Sequence, residues 1–529
     1  MHPLGAYKFG ELRSLATSVI LWTGCLALLI HLLPKLFNWF RVYWHLRKLP
    51  SPRERFPFSL VLDMRNEMAA MEPGLKIPTK MYYYFKSKFY DYNELDIMVG
   101  FFGPQPFVIP CSPDAVEPLL SHKENLNKSF LYDMMRPWIG NGLLTSEKST
   151  WKVRRKLLNP AFHSRVVVDY TPTMNRRAAE MVTKLESLED KNVDILPVMR
   201  RTAFVILFET AMGIYLNEEE IAKHGFLEVN DKMAGSIVSR MLNPLQWPSL
   251  IYTFSAEGRA FYKNVDFVKQ YTRNASIFIP LICSIVIKTR KQTYKAGLED
   301  NFKRSSFMDI ILRMHIEEGM FTEDEIREEV NTFMIGGFDT TATTAAFAVH
   351  LLGNHPEVQA KVHEELDTVF GSDRERPVTD EDMKQLTYLE CVIKEALRLY
   401  PPTPIIARDI DQDIKAAGYL IPRGSVAVIP LLFLQRHPKY FDRPEDFVPE
   451  RFMEAQERHP FAYVPFSAGP RNCIGIKFAQ LEDKILLAHL MRSFKVVSKI
   501  PMKDVQLSLE LTLRPANGLG VTLIPRAVQ

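Results

Sequence analysis

The chain has 529 residues, with 66 Lys and Arg against 62 Asp and Glu, a net charge of +4. That balance is too even for a protein that binds nucleic acid through its charge. Apolar residues make up 47% and aromatics 11%, enough for a large core. Cys25, Cys111, Cys283, Cys391 and Cys473 are scattered and include no CxxC pair, which argues against a disulfide framework or a structural zinc site.

Residues 1–14 form a short lead. Residues 15–33 then run for 19 positions without Lys, Arg, Asp or Glu, about one bilayer crossing as a helix. A retained transmembrane anchor fits better than a cleaved leader, because Pro34-Lys35-Leu36-Phe37 follows in place of a small-x-small site. Lys35, Arg41, Arg47 and Lys48 outweigh Lys8 and Arg13, so the positive-inside rule places the remainder in the cytosol. The expected location is the endoplasmic reticulum membrane, single-pass, with the sequon at Asn274 unglycosylated. Residues 34–57 read as a basic, aromatic linker in which Trp39, Phe40, Tyr43 and Trp44 lie at headgroup level and Pro50, Pro52 and Pro57 break the helix.

Residues 58–529 read as one catalytic domain, mainly α with small β-sheets. Strand-like runs occur at Asp96–Val99, Val426–Ile429 and Val521–Ile524. Thr322 and Glu325 form a capping box that opens a helix predicted over Glu323–Gly353, about 46 Å long. Gly336-Gly337 at its centre costs about 1 kcal/mol per glycine relative to Ala. That cost implies either a close approach of something flat or a local opening of the hydrogen-bond ladder. The segment from Leu242 to Phe254 fits a membrane-dipping element or a core segment equally well.

The run Phe466-Ser467-Ala468-Gly469-Pro470-Arg471-Asn472-Cys473-Ile474-Gly475 fits FxxGxRxCxG. Cys473 precedes a helical pattern over Ile476–Phe494, and N–H groups at a helix start favour a thiolate. The run resembles the haem-binding loop of cytochromes P-450. The resemblance implies the P-450 fold, with haem b between the long central helix and the helix after Cys473, and Cys473 as iron ligand. Gly469 and Gly475 would let the backbone approach the macrocycle. Phe466 would shield the sulfur and Arg471 would pair with a propionate.

Further motifs carry the same resemblance. Glu395-Ala396-Leu397-Arg398, 75 residues before Cys473, and Arg451 of Pro449-Glu450-Arg451-Phe452 imply a structural Glu395–Arg398–Arg451 cluster. Gly336-Gly337-Phe338-Asp339-Thr340-Thr341 matches the oxygen-activating helix, with Thr340 and Asp339 as the proton-delivering pair. Trp151 and Arg155, one helical turn apart, and Arg408 would bind propionates, while Arg154 would face outward.

The likeness extends over nearly the whole chain and looks closest to family 4, through Gly142–Ser146, Arg154–His163 and Glu329–Met334. That branch implies a hydrophobic, fatty-acid-like substrate and a pocket lined by Phe130, Met134, Phe333, Gly336, Gly337, Ile405 and Ile406. There are departures. Gly336 stands where many members carry the Glu that esterifies haem, so noncovalent haem is expected. Asn331, Phe338 and Gln435-Arg436-His437-Pro438 also depart from the commoner pattern.

No GxGxxG unit is present, so electrons are expected from NADPH through a cytochrome P-450 reductase, with cytochrome b5 as a further partner. Lys152, Arg154, Lys477 and Lys484 form the expected basic docking face. The other partners are O2, a hydrophobic small molecule and membrane lipid. An O2-independent isomerase or lyase of lipid peroxides and a non-enzymatic haem protein are the competing classes. Asp339-Thr340 favours the monooxygenase.

Overall fold

The computed structural model describes residues 4–51, 59–102, 105–213, 215, 226–273, 306–454 and 457–526. The sequon at Asn274 lies outside them. Helix α1, Leu4–Leu46, carries Pro34 in its interior and continues well into the expected linker. Its C-terminal end docks on the catalytic domain. Val42 and Leu46 are buried, Tyr43 packs edge-on against Phe101, and Arg41 donates to Arg423 O at 2.9 Å. Of the residues expected at headgroup level, Phe40 and Trp44 are exposed, whereas Tyr43 belongs to a protein contact. Among the described residues no helix is long and apolar enough to cross a membrane. Of the 19 side chains in 15–33, eight lie outside those described.

The helices that frame the site follow in chain order: α2 (Pro113–Ser121), α3 (Lys148–Leu158), α4 (Thr171–Ser187), α5 (Ile195–Leu207), α6 (Phe226–Leu242) and α7 (Ser249–Phe254). After these come α8 (Phe307–Ile316), α9 (Glu323–Asn354), α10 (Thr387–Leu399) and α11 (Ile476–Ser493). The capping box that opens α9 is present, with Thr322 N donating to Glu325 at 2.8 Å. The helix ends one residue beyond the expected Gly353. It crosses the domain and packs on α5, α10 and α11, and from Phe338 to Gly353 nearly every residue is buried. A helix apolar all round has no solvent side, so its position is set by packing on several neighbours.

The ladder runs unbroken through Gly336-Gly337, so close approach, not an opened turn, accounts for the second glycine. A Cβ on Gly337 would stand 2.8 Å from Leu207 of α5. A Cβ on Gly336 would meet no protein atom within 4 Å.

The expected strands belong to β1 (Ile97–Phe102), β7 (Val426–Ile429) and β11 (Gly520–Pro525). With β2 (Gln105–Pro110) and β4 (Ile406–Asp409), the main sheet has the order β1-β2-β7-β4, and only β2–β7 is parallel. A second sheet joins β3 (Asn192–Asp194), β11 and β8 (Phe494–Ser498). Two hairpins complete the described strands, β5–β6 (Ile414–Ala416, Tyr419–Ile421) and β9–β10 (Leu507–Leu509, Leu513–Pro515).

A buried ion pair ties α3 to α9. Arg154 does not face outward: it is buried and donates to Glu329 at 2.9 Å, Glu325 at 3.1 Å and Asn141 O at 2.6 Å. Glu329, fully buried, also accepts from Leu143 N at 2.9 Å. Burial raises Glu329 from its ordinary 4.5 to about 7, against the pull of Arg154 and the Leu143 N–H. The folded chain therefore holds this proton more tightly than the unfolded chain does. As pH climbs between 4.5 and about 7, the Glu329 carboxyl withdraws stability. Across that window Glu329→Gln should lose less thermal stability with rising pH than wild type, read as Tm by circular dichroism; parallel curves would refute the assignment.

Candidate active site

The Cys473 loop is held in shape by its own backbone. Cys473 N donates to Phe466 O at 2.9 Å, Ser467 N donates to Val464 O at 2.9 Å, and Gly475 N reaches Cys473 Sγ at 3.3 Å. Ser467 and Gly469 both have positive φ, 59° and 70°. A Cβ on Gly469 would stand 1.9 Å from Leu120 O, at the end of α2. The glycine is therefore required by protein backbone, where the sequence had suggested room for a macrocycle. Gly475 has only Cys473 Sγ near it, at 3.8 Å, and is the more open of the two. Phe466 is half-buried against the main core. Cys473 is accessible at its surface yet enclosed by protein, which places it on internal space. Burial pushes its thiol up, while Gly475 N–H, Arg155 and Lys128 pull it back down.

Cations converge beside that sulfur. Arg408 is 2% exposed, and its Nη2 has no hydrogen-bond partner. Lys128 bridges the Arg408 strand through its backbone. Burial, then Arg408 and Arg471, force its ammonium well below the usual range. Arg471 lies over the Trp151 ring at 4.7 Å and donates to Leu126 O, Leu143 O and Ser146 O. Burial and Arg408 bring it down to about 9. Arg155 donates to Asn472 O at 2.7 Å and Asn472 Oδ1 at 2.9 Å, so it clamps the residue preceding Cys473. Lys128, Arg408 and Arg471 repel one another, and a dianionic group beside the thiol would relieve that repulsion.

Behind the loop, Arg398 donates to both Glu395 oxygens at 2.8 Å, and Arg451 donates to Oε1 at 3.0 Å. Glu395 and Arg398 are 0% exposed. Gln435, where the commoner pattern has His, extends this cluster. Its Nε2 donates to Leu397 O at 3.0 Å, and its Oε1 accepts from Val464 N at 2.9 Å.

At the centre of α9, Thr340 is half-buried and donates to Gly336 O at 2.9 Å. Asp339 is buried and fully engaged. It accepts from Arg200 at 2.8 Å, from Arg514 at 2.6 and 2.7 Å and from Thr512 at 2.7 Å. Burial would raise its carboxyl, but Arg514 and Arg200 hold it below the usual range. Arg200 is in turn bidentate to Asp231 of α6, at 2.9 and 2.6 Å.

Comparison with known proteins agrees with this arrangement. A family model described as cytochrome P-450 matches residues 76–521. Cytochrome P-450 4V2 of Rattus norvegicus is 37% identical over 505 residues, covering 94% of this chain and 93% of the relative. The Homo sapiens protein of the same name is 35% identical over 512 residues, covering 94% and 93%. Cytochrome P-450 4c3 of Drosophila melanogaster is 35% identical over 444 residues, covering 80% and 81%. The chain belongs to the cytochrome P-450 family. These relatives place it within family 4, and it is a P-450 monooxygenase. The family implies haem b, a redox partner, O2 and a hydrophobic substrate. One accessible thiol flanked by unneutralised cations is a donor set that fits the haem dianion.

The residues expected around the substrate do not all converge in this P-450. Phe333 turns into an aromatic trio, 4.3 Å from Phe307 and 5.0 Å from Phe162, so it is core. Gly337 seats Leu207. Ile406 packs in a separate cluster with Val42 and Leu46, while its neighbour Ile405 faces the main core, the alternation a strand imposes. Met134 is buried and Phe130 packs on Trp247 at 5.0 Å. Phe130 also borders a cleft of about 530 Å³ that reaches Asn38 of α1 and includes neither Cys473 nor Thr340. The docking face also changes. Lys484 is buried and donates to Glu390 at 2.8 Å, and Arg154 is buried as well, leaving Lys152 and Lys477 exposed.

Sequence reasoning missed Lys128, whose link to Arg408 exists only across the fold, and the arginine partners of Asp339. Gln435 had been visible only as a departure from pattern. Gly469→Ala should abolish thiolate-type haem binding, because it combines a positive φ with a backbone clash; Gly475→Ala should retain it. The ferrous–CO spectrum reads both, and a normal spectrum for Gly469→Ala would overturn the packing argument.

Proposed function

We propose that this P-450 inserts one oxygen atom of O2 into a fatty-acid-like lipid, with electrons passed from NADPH by a membrane-bound reductase and cytochrome b5 as a second donor. The observation that carries the reading is the unpartnered Arg408 Nη2 beside Lys128 and an accessible Cys473 sulfur. Haem b, when bound, supplies the redox iron at which O2 is reduced. Cys473 would hold that iron through an anionic sulfur, an electron-rich ligand. Lys128, Arg408 and Arg471 would hold the propionates, and Trp151 keeps the Arg471 guanidinium in place through its ring. Thr340 presents its hydroxyl beside Gly336, where it can accept and pass on a proton.

Exposed apolar surface supports a membrane location. Trp22, Leu26 and Ile30 of α1 are more than half exposed. So are Leu245, Leu250, Ile251 and Phe254 around α7, while Trp247 and Tyr252 of the same segment turn inward. Exposed apolar residues of this kind suit a bilayer. The reading is a single-pass protein of the endoplasmic reticulum with its catalytic domain in the cytosol. Membrane lipid would serve as support and as the source of substrate, and the cleft at the end of α1 as an entrance.

Gly336 offers no carboxylate to the haem, so the cofactor is read as noncovalent. Reconstituted with reductase, NADPH and fatty acids in vesicles, wild type should yield hydroxylated product. Cys473→Ala should yield none and should lack the thiolate-type ferrous–CO band. Product formed from lipid hydroperoxide alone, without NADPH, would point to the isomerase class. On a denaturing gel the haem should separate fully from the chain; haem that migrates with the polypeptide would mean a covalent link.

A further inference from the structure

Most buried arginines of this chain face a carboxylate. Arg154 pairs with Glu329, Arg177 with Glu209 and Arg436 with Glu445, while Arg398 and Arg451 share Glu395. Arg492 lies in the field of Asp373 and Asp382. Arg408 and Arg471 meet no carboxylate among the described residues, and their place beside the Cys473 loop accounts for that. Among the described buried arginines, Arg240 near the end of α6 is the one left over, at 3% exposed. Its Nε donates to Gln246 O at 3.0 Å, and its Nη2 donates to Trp247 O at 2.9 Å and Ser249 Oγ at 3.1 Å. Those neutral acceptors order the turn into α7 and leave the charge without a counter-ion. Burial pushes the guanidinium down, and no carboxylate of the described residues pulls it back. A cation held out of water with no anion is poorly explained by stability.

Tyr252 lies against this cation, its ring centroid 4.3 Å from the guanidinium carbon. It is 1% exposed, and its hydroxyl has no hydrogen-bond partner. Glu257 acts on Tyr252 and not on Arg240. An uncompensated guanidinium beside an unused O–H donor suits a carboxylate. What leads away from the pair is apolar. Met233, Ile237 and Arg240 share one face of α6 at i, i+4 and i+7, about 10 Å of helix. Met233 and Ile237 belong to one buried cluster with Tyr252 and Met134, and Ile335 of α9 packs on it. Ile335 adjoins Gly336, where added volume would meet no protein atom within 4 Å. A lone cation at one end of an apolar region, with the open turn of Gly336 and Thr340 at the other, matches a molecule with one anionic end and a long apolar tail.

We propose that Arg240 and the Tyr252 hydroxyl bind the carboxylate of the lipid substrate, with its chain laid past Ile237 and Met233 toward Ile335. The inference rests on the fatty-acid-like reading of the substrate. The acid end is then held away from α9, and the span between Arg240 and Gly336 selects which part of the chain is oxidised.

The test uses the full-length holoenzyme and the optical shift that a ligand produces at the haem. Wild type should bind hexadecanoic acid about 10- to 100-fold more tightly than its methyl ester, which has the same chain and no charge. Arg240→Gln should lose that preference by weakening the acid alone; ester affinity at the wild-type value shows that the pocket is intact. Should this variant fail to fold, Tyr252→Phe keeps the ring against the guanidinium and removes the hydroxyl. It should weaken the acid by about tenfold and the ester much less. An undiminished preference in either variant overturns the inference. So does loss of binding to phosphatidylserine vesicles in Arg240→Gln with the acid preference intact, which would assign the cation to lipid phosphate. If wild type binds acid and ester equally, this inference alone fails; if it binds neither, the fatty-acid reading fails and takes the inference with it.

Discussion

Glu395 carries its negative charge with no exposed surface, and two guanidiniums share it. Three ions taken out of water would be costly, and the pairing recovers that cost only with good geometry and every remaining N–H satisfied. Arg398 meets the condition through the carbonyls of Gln435, Pro444 and Asp446, at 3.1, 2.7 and 3.0 Å. Arg451 adds Asp442 O at 3.0 Å. Gln435 then reaches Val464, and the Val464 carbonyl closes the turn that leads to Cys473. The sulfur is thus positioned by a chain of hydrogen bonds rooted in one buried carboxylate. A weak link in such a network leaves a buried charge uncompensated, which makes the arrangement nearly all-or-none.

Charge elsewhere in the domain is distributed by the same physics with different outcomes. Around Cys473 the cations outnumber the anions, so binding a dianionic cofactor removes repulsion present in the protein alone. On α9, Asp339 has arginine partners from α5 and from the C-terminal hairpin, and Arg200 extends the network to Asp231 of α6. Glu482 has none of these. The carboxyls of Asp339 and Glu482, both buried, are therefore pushed in opposite directions, and only the surroundings differ.

Packing explains the places where local pattern misleads. Phe333 sits on the apolar helix that carries Asp339 and Thr340, but α8 and Phe162 claim its ring. Lys484 is one of the four basic residues expected to form a docking face, yet α11 turns it inward to Glu390 and Met383 O. Gly469 looked like room for a cofactor and proves to be room for Leu120 O.

What the amino-acid order determined alone is whatever depends on neighbours in the chain. The capping box at Thr322, the length of α9, the strands around Val426 and Val521, and the placing of Cys473 just before α11 all follow from local periodicity and spacing. Which way each charged side chain faces was decided only in three dimensions. Lys128 meets Arg408, Arg154 meets Glu329 and Asp339 meets Arg514 across separations of well over a hundred residues. The reason is physical: the protonation and partner of a buried charge depend on desolvation and on what stands opposite, and neither is encoded within one turn of helix.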